Sequence, residues 1–112
     1  DEEDMCRNYC VVTNRWVYPR TTTHGGKRLD LVFIINGIPM VIGEVKTPFA
    51  PGITWADGAN DIVKYQKSIP AMFVTNILNF ASDGKELFYG GIGLPVDKWG
   101  PWLVQKTVSM VL

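Results

Sequence analysis

Leu29-Asp-Leu-Val-Phe-Ile-Ile35, then Asn36-Gly37, then Ile38-Pro-Met-Val-Ile-Gly-Glu-Val-Lys46 is a pair of apolar, β-branched runs divided by two turn residues. Asn and Gly tolerate the positive φ of a tight turn, so the stretch predicts an antiparallel hairpin. Nearly every position in both runs is apolar, which predicts a hairpin in the middle of a sheet with both faces covered. Three ionisable residues interrupt it: Asp30 near the start of one strand, and Glu44 and Lys46 at the end of the other. Burying an unpaired charge costs several kcal/mol. These groups therefore neutralise one another or bind something.

Working outward, Thr47-Pro-Phe-Ala-Pro-Gly52 breaks the second strand. Ala59, Ile62, Val63, Gln66 and Ile69 recur at three- and four-residue steps, which predicts a helix over Asp57 to Ile69, stopped by Pro70 and weakened in its first turn by Gly58. Ala71 to Ile77 is expected to be a strand, giving a strand-helix-strand crossover and a parallel neighbour for the hairpin. Asn79 to Ser82 and Glu86 to Tyr89, around Asp83-Gly84, read as a second hairpin. The aromatic tail with Trp99 and Trp102 leads into Val104 to Leu112, which could be strand or helix. Before the hairpin, Arg15, Arg20, Lys27 and Arg28 carry four positive charges with no acid among them, in a polar stretch that reads as a loop or open hairpin.

The 112 residues suffice for one modest core and exclude a motor or a multidomain enzyme. Eleven Lys and Arg against eleven Asp and Glu give no net charge, so any polyanion must be held by local charge such as the Arg15 to Arg28 stretch. Cys6, Cys10 and the single His24 cannot supply the four ligands of a structural zinc site. No apolar run approaches the roughly 18 residues of a membrane span, and Asp1-Glu-Glu-Asp4 is the opposite of a secretory leader. The expectation is a cytoplasmic chain without membrane contact. The first residue is not Met, which suggests a piece of a longer polypeptide.

Asp30, Glu44 and the Val45 carbonyl are the hard oxygen donors that Mg²⁺ prefers, and Lys46, two residues beyond Glu44 on the same strand face, is placed to orient or deprotonate a water. In this reading the Val45 side chain packs into the core. The implied chemistry is hydrolysis of a phosphodiester. A plain two-residue turn continued regularly would set Asp30 against Gly43 and point it away from Glu44. A three-residue turn with Gly37 as a bulge would set Ile34 against Ile38 and make Asp30 a diagonal neighbour of Glu44, so the bulged turn is expected. The competing interpretation is a buried Glu44–Lys46 ion pair with Asp30 capping its strand.

The run Arg28 to Pro48, the helix Ala59 to Pro70, Phe73 and Ser82-Asp-Gly84 together resemble the N-terminal nuclease domain of the restriction (R) subunit of type I restriction enzymes, in the PD-(D/E)XK superfamily. The likeness runs in order and spacing from about Arg28 to Trp102, with a looser one over Asn8 to Val17. It implies an α/β fold: a mixed central sheet flanked by helices with a restriction-endonuclease-like core. Asp30 and Glu44 match the metal-binding acids and Lys46 the catalytic lysine. Of a Gln-x-x-x-Tyr motif on the following helix, Tyr65 matches the tyrosine, but Asp61 stands in place of the glutamine. Leu29 stands in place of the proline of the superfamily name. The resemblance implies a single endonuclease domain over residues 1–112, using Mg²⁺ on double-stranded DNA beside methylation and specificity subunits. ATP enters only through motor domains not present in these residues. Arg15, Arg20, Lys27 and Arg28 would hold phosphates. The rivals are a noncatalytic DNA-binding or assembly module on the same fold, favoured by Asp61, and a repair or junction nuclease of the superfamily.

Overall fold

The computed structural model describes residues 8–18 and 27–102. Arg20, His24, Cys6, the acidic start and the segment Val104 to Leu112 lie outside the described residues. The elements in chain order are β1 (Cys10–Tyr18), β2 (Lys27–Ile35), β3 (Ile38–Val45), α1 (Trp55–Ser68), a 3-10 turn (Pro70–Phe73), β4 (Leu78–Ser82), β5 (Leu87–Gly90), a second 3-10 turn (Val96–Lys98) and β6 (Gly100–Pro101). The strands form a six-stranded sheet in sequence order. Neighbours are antiparallel except β3 and β4, which run parallel and are joined across α1.

The hairpin forms at the expected place with a different turn. Ile35 pairs with Ile38, so Asn36 and Gly37, with φ of 52° and 82°, make a two-residue turn and not the bulged one. The irregularity falls inside the strand: Ile34 pairs with Pro39 but Phe33 pairs with Val41, leaving Met40 without a partner on β2. Pro39 has no N–H to give the ladder, which makes this the weak point of the strand. The Met40 carbonyl accepts instead from Ile77 N–H at 2.8 Å on the chain entering β4. The displaced register continues as Leu31 with Gly43, which brings Asp30 directly opposite Glu44.

α1 begins two residues before Asp57 because Thr54 caps it: the Thr54 hydroxyl accepts from Ala56 N–H, and the Asp57 carboxylate accepts from Thr54 N–H at 2.8 Å. Ala59 and Ile62 of α1 are fully buried against Val32, Ile42 and Ala81 of the sheet. The residues after Pro70 are not the expected strand. Proline opens a 3-10 turn in which the successive residues Met72 and Phe73 are both buried, while Val74 and Ile77 are exposed, and the parallel strand starts only at Leu78.

The expectation of two covered faces is corrected as well. Among the described residues α1 is the sole α-helix, and it packs on the face carrying Ile42 and Glu44. The opposite face holds Phe33 edge-on to Phe80, with Val12 and Val45 about half exposed. Val45 is thus not a core residue, since alternation along β3 sends it away from the helix once Glu44 faces it.

Candidate functional site

The β2–β3 ladder ends at Leu31 and Gly43, and the next pair is joined through side chains. Asp30 N–H donates to Glu44 Oε1 at 3.3 Å, and Val45 N–H donates to Asp30 Oδ2 at 3.0 Å. Each carboxylate stands where a ladder carbonyl would otherwise accept, which fixes both at the strand ends. Glu44 is buried, at 3% exposure, beneath the first turn of α1. Helix and strand approach so closely there that a Cβ on Gly58 would lie 3.2 Å from the Glu44 Cβ. Burial, followed by the hydrogen-bonded carboxyl of Asp30, pushes the Glu44 pKa from 4.5 up to about 8.

Lys46 does not pair with Glu44. Its Nζ lies 2.8 Å from Asp61 Oδ2 on α1, and this hydrogen bond raises the lysine above its ordinary value. Tyr65, one turn further along α1, donates from its hydroxyl to the Arg28 carbonyl at 3.4 Å. Burial and the Glu44, Asp61 and Asp30 carboxylates push the Tyr65 phenol up to about 12. Asp61 and Tyr65 therefore face the strand ends that carry Asp30, Glu44 and Lys46.

On the other side of Asp30 lies a cavity of about 330 Å³ lined by Asn14, Arg15, Arg28, Asp30, Leu31 and Val45. It brings together two of the expected phosphate-holding residues, Arg15 and Arg28. Lys27 is exposed at the start of β2, opposite Tyr18, and does not line this cavity. Arg15 belongs to β1 and Lys27 and Arg28 to β2, which pair antiparallel, so for these three residues the stretch is the open hairpin and not the loop.

Among the described residues no three His, Cys, Asp or Glu side chains cluster as a metal cage. The donor set of Asp30, Glu44 and a backbone carbonyl fits an ion that keeps much of its water, as Mg²⁺ does, and among the described residues the buried Glu44 carboxyl makes no ion pair, Lys46 being engaged by Asp61. Sequence reasoning missed Gly58, whose place in the first helical turn is set by the contact with Glu44. It also missed Asn14, which has no local signal, and Asp83, whose carboxylate accepts from Trp55 N–H and so ties the β4–β5 turn to the start of α1.

Residues 1–92 match the family described as the type I restriction enzyme R protein N terminus. Over 81 residues, 71% of the chain, the sequence is 31% identical to the type I restriction enzyme HindI endonuclease subunit of Haemophilus influenzae, of which this covers 8%. Over 110 residues, 97% of the chain, it is 33% identical to a Methanocaldococcus jannaschii protein provisionally named the type I restriction enzyme MjaIXP endonuclease subunit, covering 10% of that protein. The chain thus spans a tenth or less of the length of these curated relatives. No solved structure matches it. With more than half its length matched, the chain belongs to the family of N-terminal domains of type I restriction enzyme R subunits.

Proposed function

We infer that the chain is a Mg²⁺-dependent DNA endonuclease domain with a PD-(D/E)XK core, and that residues 1–112 work as one nuclease unit. Asp30 and Glu44, with the Val45 carbonyl, would hold the ion. When bound, the ion supplies charge to offset that gathering on phosphate oxygens and lowers the pKa of a coordinated water. Lys46 would orient or deprotonate a water at the site, with Asp61 and Tyr65 fixing the lysine side of it. Arg15, Arg20, Lys27 and Arg28 hold the backbone of double-stranded DNA. Recognition of unmodified sites belongs to methylation and specificity subunits, and ATP to motor domains elsewhere in a longer, cytoplasmic polypeptide.

The observation that carries this reading is the placement of Asp30 opposite Glu44 at the open end of the hairpin, each tied to the other's strand. Titration of the protein with Mn²⁺ and Mg²⁺ tests it: binding is expected in the wild type and lost in Glu44→Ala. Cleavage by the assembled enzyme is expected to vanish in Asp30→Ala and Lys46→Ala with the fold intact, and wild-type cleavage in either variant would refute the assignment. A second reading, a noncatalytic DNA-binding or assembly module, is favoured by the engagement of Lys46 with Asp61. It predicts no metal binding at all.

A further inference from the structure

Arg15 has a φ of 55° in the middle of β1. A non-glycine residue in the left-handed region is strained, and a strand interior offers no turn to explain it. The β1–β2 register is regular on both sides, Asn14 with Leu31 and Trp16 with Leu29, and omits only the position where Arg15 meets Asp30. Hollows open on either side of this break. One is the 330 Å³ cavity shared with Arg28, Asp30 and Val45, and the other, about 300 Å³, is lined by Asn14, Arg15, Trp16 and Val17. Arg15 lines both.

Among the described residues neither Arg15 nor Arg28 has a carboxylate within ion-pair distance. Asp30, the acid of the larger cavity, already accepts from the Val45 N–H and faces Glu44. The cavity therefore brings two guanidinium-bearing residues and Asn14 together with a single acid, Asp30. Donors in that number, with no ion pair to a carboxylate among the described residues, suit a tetrahedral oxyanion, which guanidinium groups bind through paired N–H groups. Asp30 lines the same hollow, so an anion held there would lie beside the carboxylate assigned to the metal.

We propose that the left-handed Arg15, with Arg28 and Asn14, forms a subsite for one backbone phosphate of DNA, the one adjacent to the phosphate that is hydrolysed. This rests on the nuclease reading for its geometry, but its test does not depend on cleavage.

The test uses the full-length protein and duplex DNA in Ca²⁺, with single phosphates neutralised one at a time as methylphosphonates. Wild type is expected to lose about tenfold or more in affinity when the subsite phosphate is neutralised. Arg15→Gly, which accepts a φ of 55° without strain, is expected to melt at the same or a higher temperature. It should bind unmodified DNA more weakly than wild type, lose less affinity than wild type does when the subsite phosphate is neutralised, since Arg28 and Asn14 remain, and have a log-affinity against log-salt slope shallower by about 0.9. Unchanged affinity and slope in Arg15→Gly would overturn the proposal and leave Arg15 a structural oddity. So would a loss of affinity in Arg15→Gly that is simply added to the methylphosphonate effect. Mn²⁺ binding measured alongside separates the two claims. If Glu44→Ala keeps its metal, the nuclease reading fails, while the coupling between Arg15 and one phosphate still decides the subsite.

Discussion

Lys46 and Asp61 form an ion pair between the end of β3 and the second turn of α1, Nζ to Oδ2 2.8 Å, with both side chains about 30% exposed. The residue matching a catalytic amine is thus held by the residue that departs from the family's glutamine. A half-exposed pair contributes at most about 1 kcal/mol to stability, so Asp61→Gln should leave the melting temperature within a few degrees of wild type. Freed from its partner, the lysine should fall in pKa toward its ordinary value of 10.5. Cleavage at neutral pH should rise by about fivefold, the rate equivalent of about 1 kcal/mol. Nuclear magnetic resonance of the lysine side chain and single-turnover cleavage check the two halves. An unchanged lysine with cleavage reduced tenfold would show that Asp61 assists the reaction directly.

Glu44 makes the metal-free protein sensitive to pH near neutrality. Its carboxyl titrates at about 8 in the fold and near 4.5 when unfolded, so between these values the folded chain keeps a proton that the unfolded chain has lost. The stabilisation is complete below pH 4.5 and disappears as pH rises through about 8. The melting temperature without metal is expected to fall across that window, and Glu44→Gln to flatten the profile. Bound Mg²⁺ or Mn²⁺ should restore stability at pH 8. At pH 7 binding should release close to one proton per ion, read from calorimetry in two buffers of different ionisation heat. A profile that is level from pH 5 to 8 without metal would contradict the buried acid pair.

The hairpin, the crossover and the meeting of Asp30 with Glu44 were legible in the sequence because two apolar runs around Asn36-Gly37 leave few ways to pair, and charges inside them must meet at an end; the partner of Lys46 was not. The exact register was not. One surplus residue can be absorbed in the turn or in the strand, and only the acceptor role of the Met40 carbonyl toward Ile77, 37 positions away, decides for the strand. Ala71 to Ile77 has the composition of a strand, yet Pro70 starts a 3-10 turn whose buried pair Met72 and Phe73 outweighs that propensity. The direction of Val45 is not legible for a related reason: a β-branched residue beside two charges reads as core until the position of the helix is known.

Gly58 is where α1 presses on the site. A methyl group there would meet the Glu44 Cβ at 3.2 Å and the Ala81 Cβ at 3.4 Å. Gly58→Ala gains helix propensity worth up to about 1 kcal/mol and loses part of it to that contact, so its stability should lie near wild type. Gly58→Val adds branched bulk that the contact cannot absorb and should cost about 1–3 kcal/mol. It should also weaken metal binding by shifting Glu44. Thermal melts together with Mn²⁺ titration check both variants, and a Gly58→Val protein with wild-type stability and metal affinity would show that the helix is free to move away.

Asp83 fixes the other end of the same contact. Its buried carboxylate accepts from Lys85 N–H and Glu86 N–H at 2.9 Å and from Trp55 N–H at 3.2 Å, so one side chain closes the β4–β5 turn and satisfies a free donor at the start of α1. The Glu86 N–H first, then that of Lys85, holds its pKa below the ordinary 3.8. A depressed carboxylate contributes stability that is present above pH 3.8 and is lost as pH falls through its folded value. Asp83→Ala should therefore lower the melting temperature by several degrees at pH 7, with the gap to wild type narrowing below pH 3.8. Because Trp55 leads into the turns that carry Gly58 and then Asp61, the same variant should speed amide exchange in the first turns of α1 and loosen the Lys46–Asp61 pair. Thr54→Ala removes the local cap while leaving the turn closed, so it should reproduce the faster exchange in α1 without the acid-dependent gap. An Asp83→Ala protein whose deficit is the same at pH 3 as at pH 7 would assign the effect to lost packing and not to the charge.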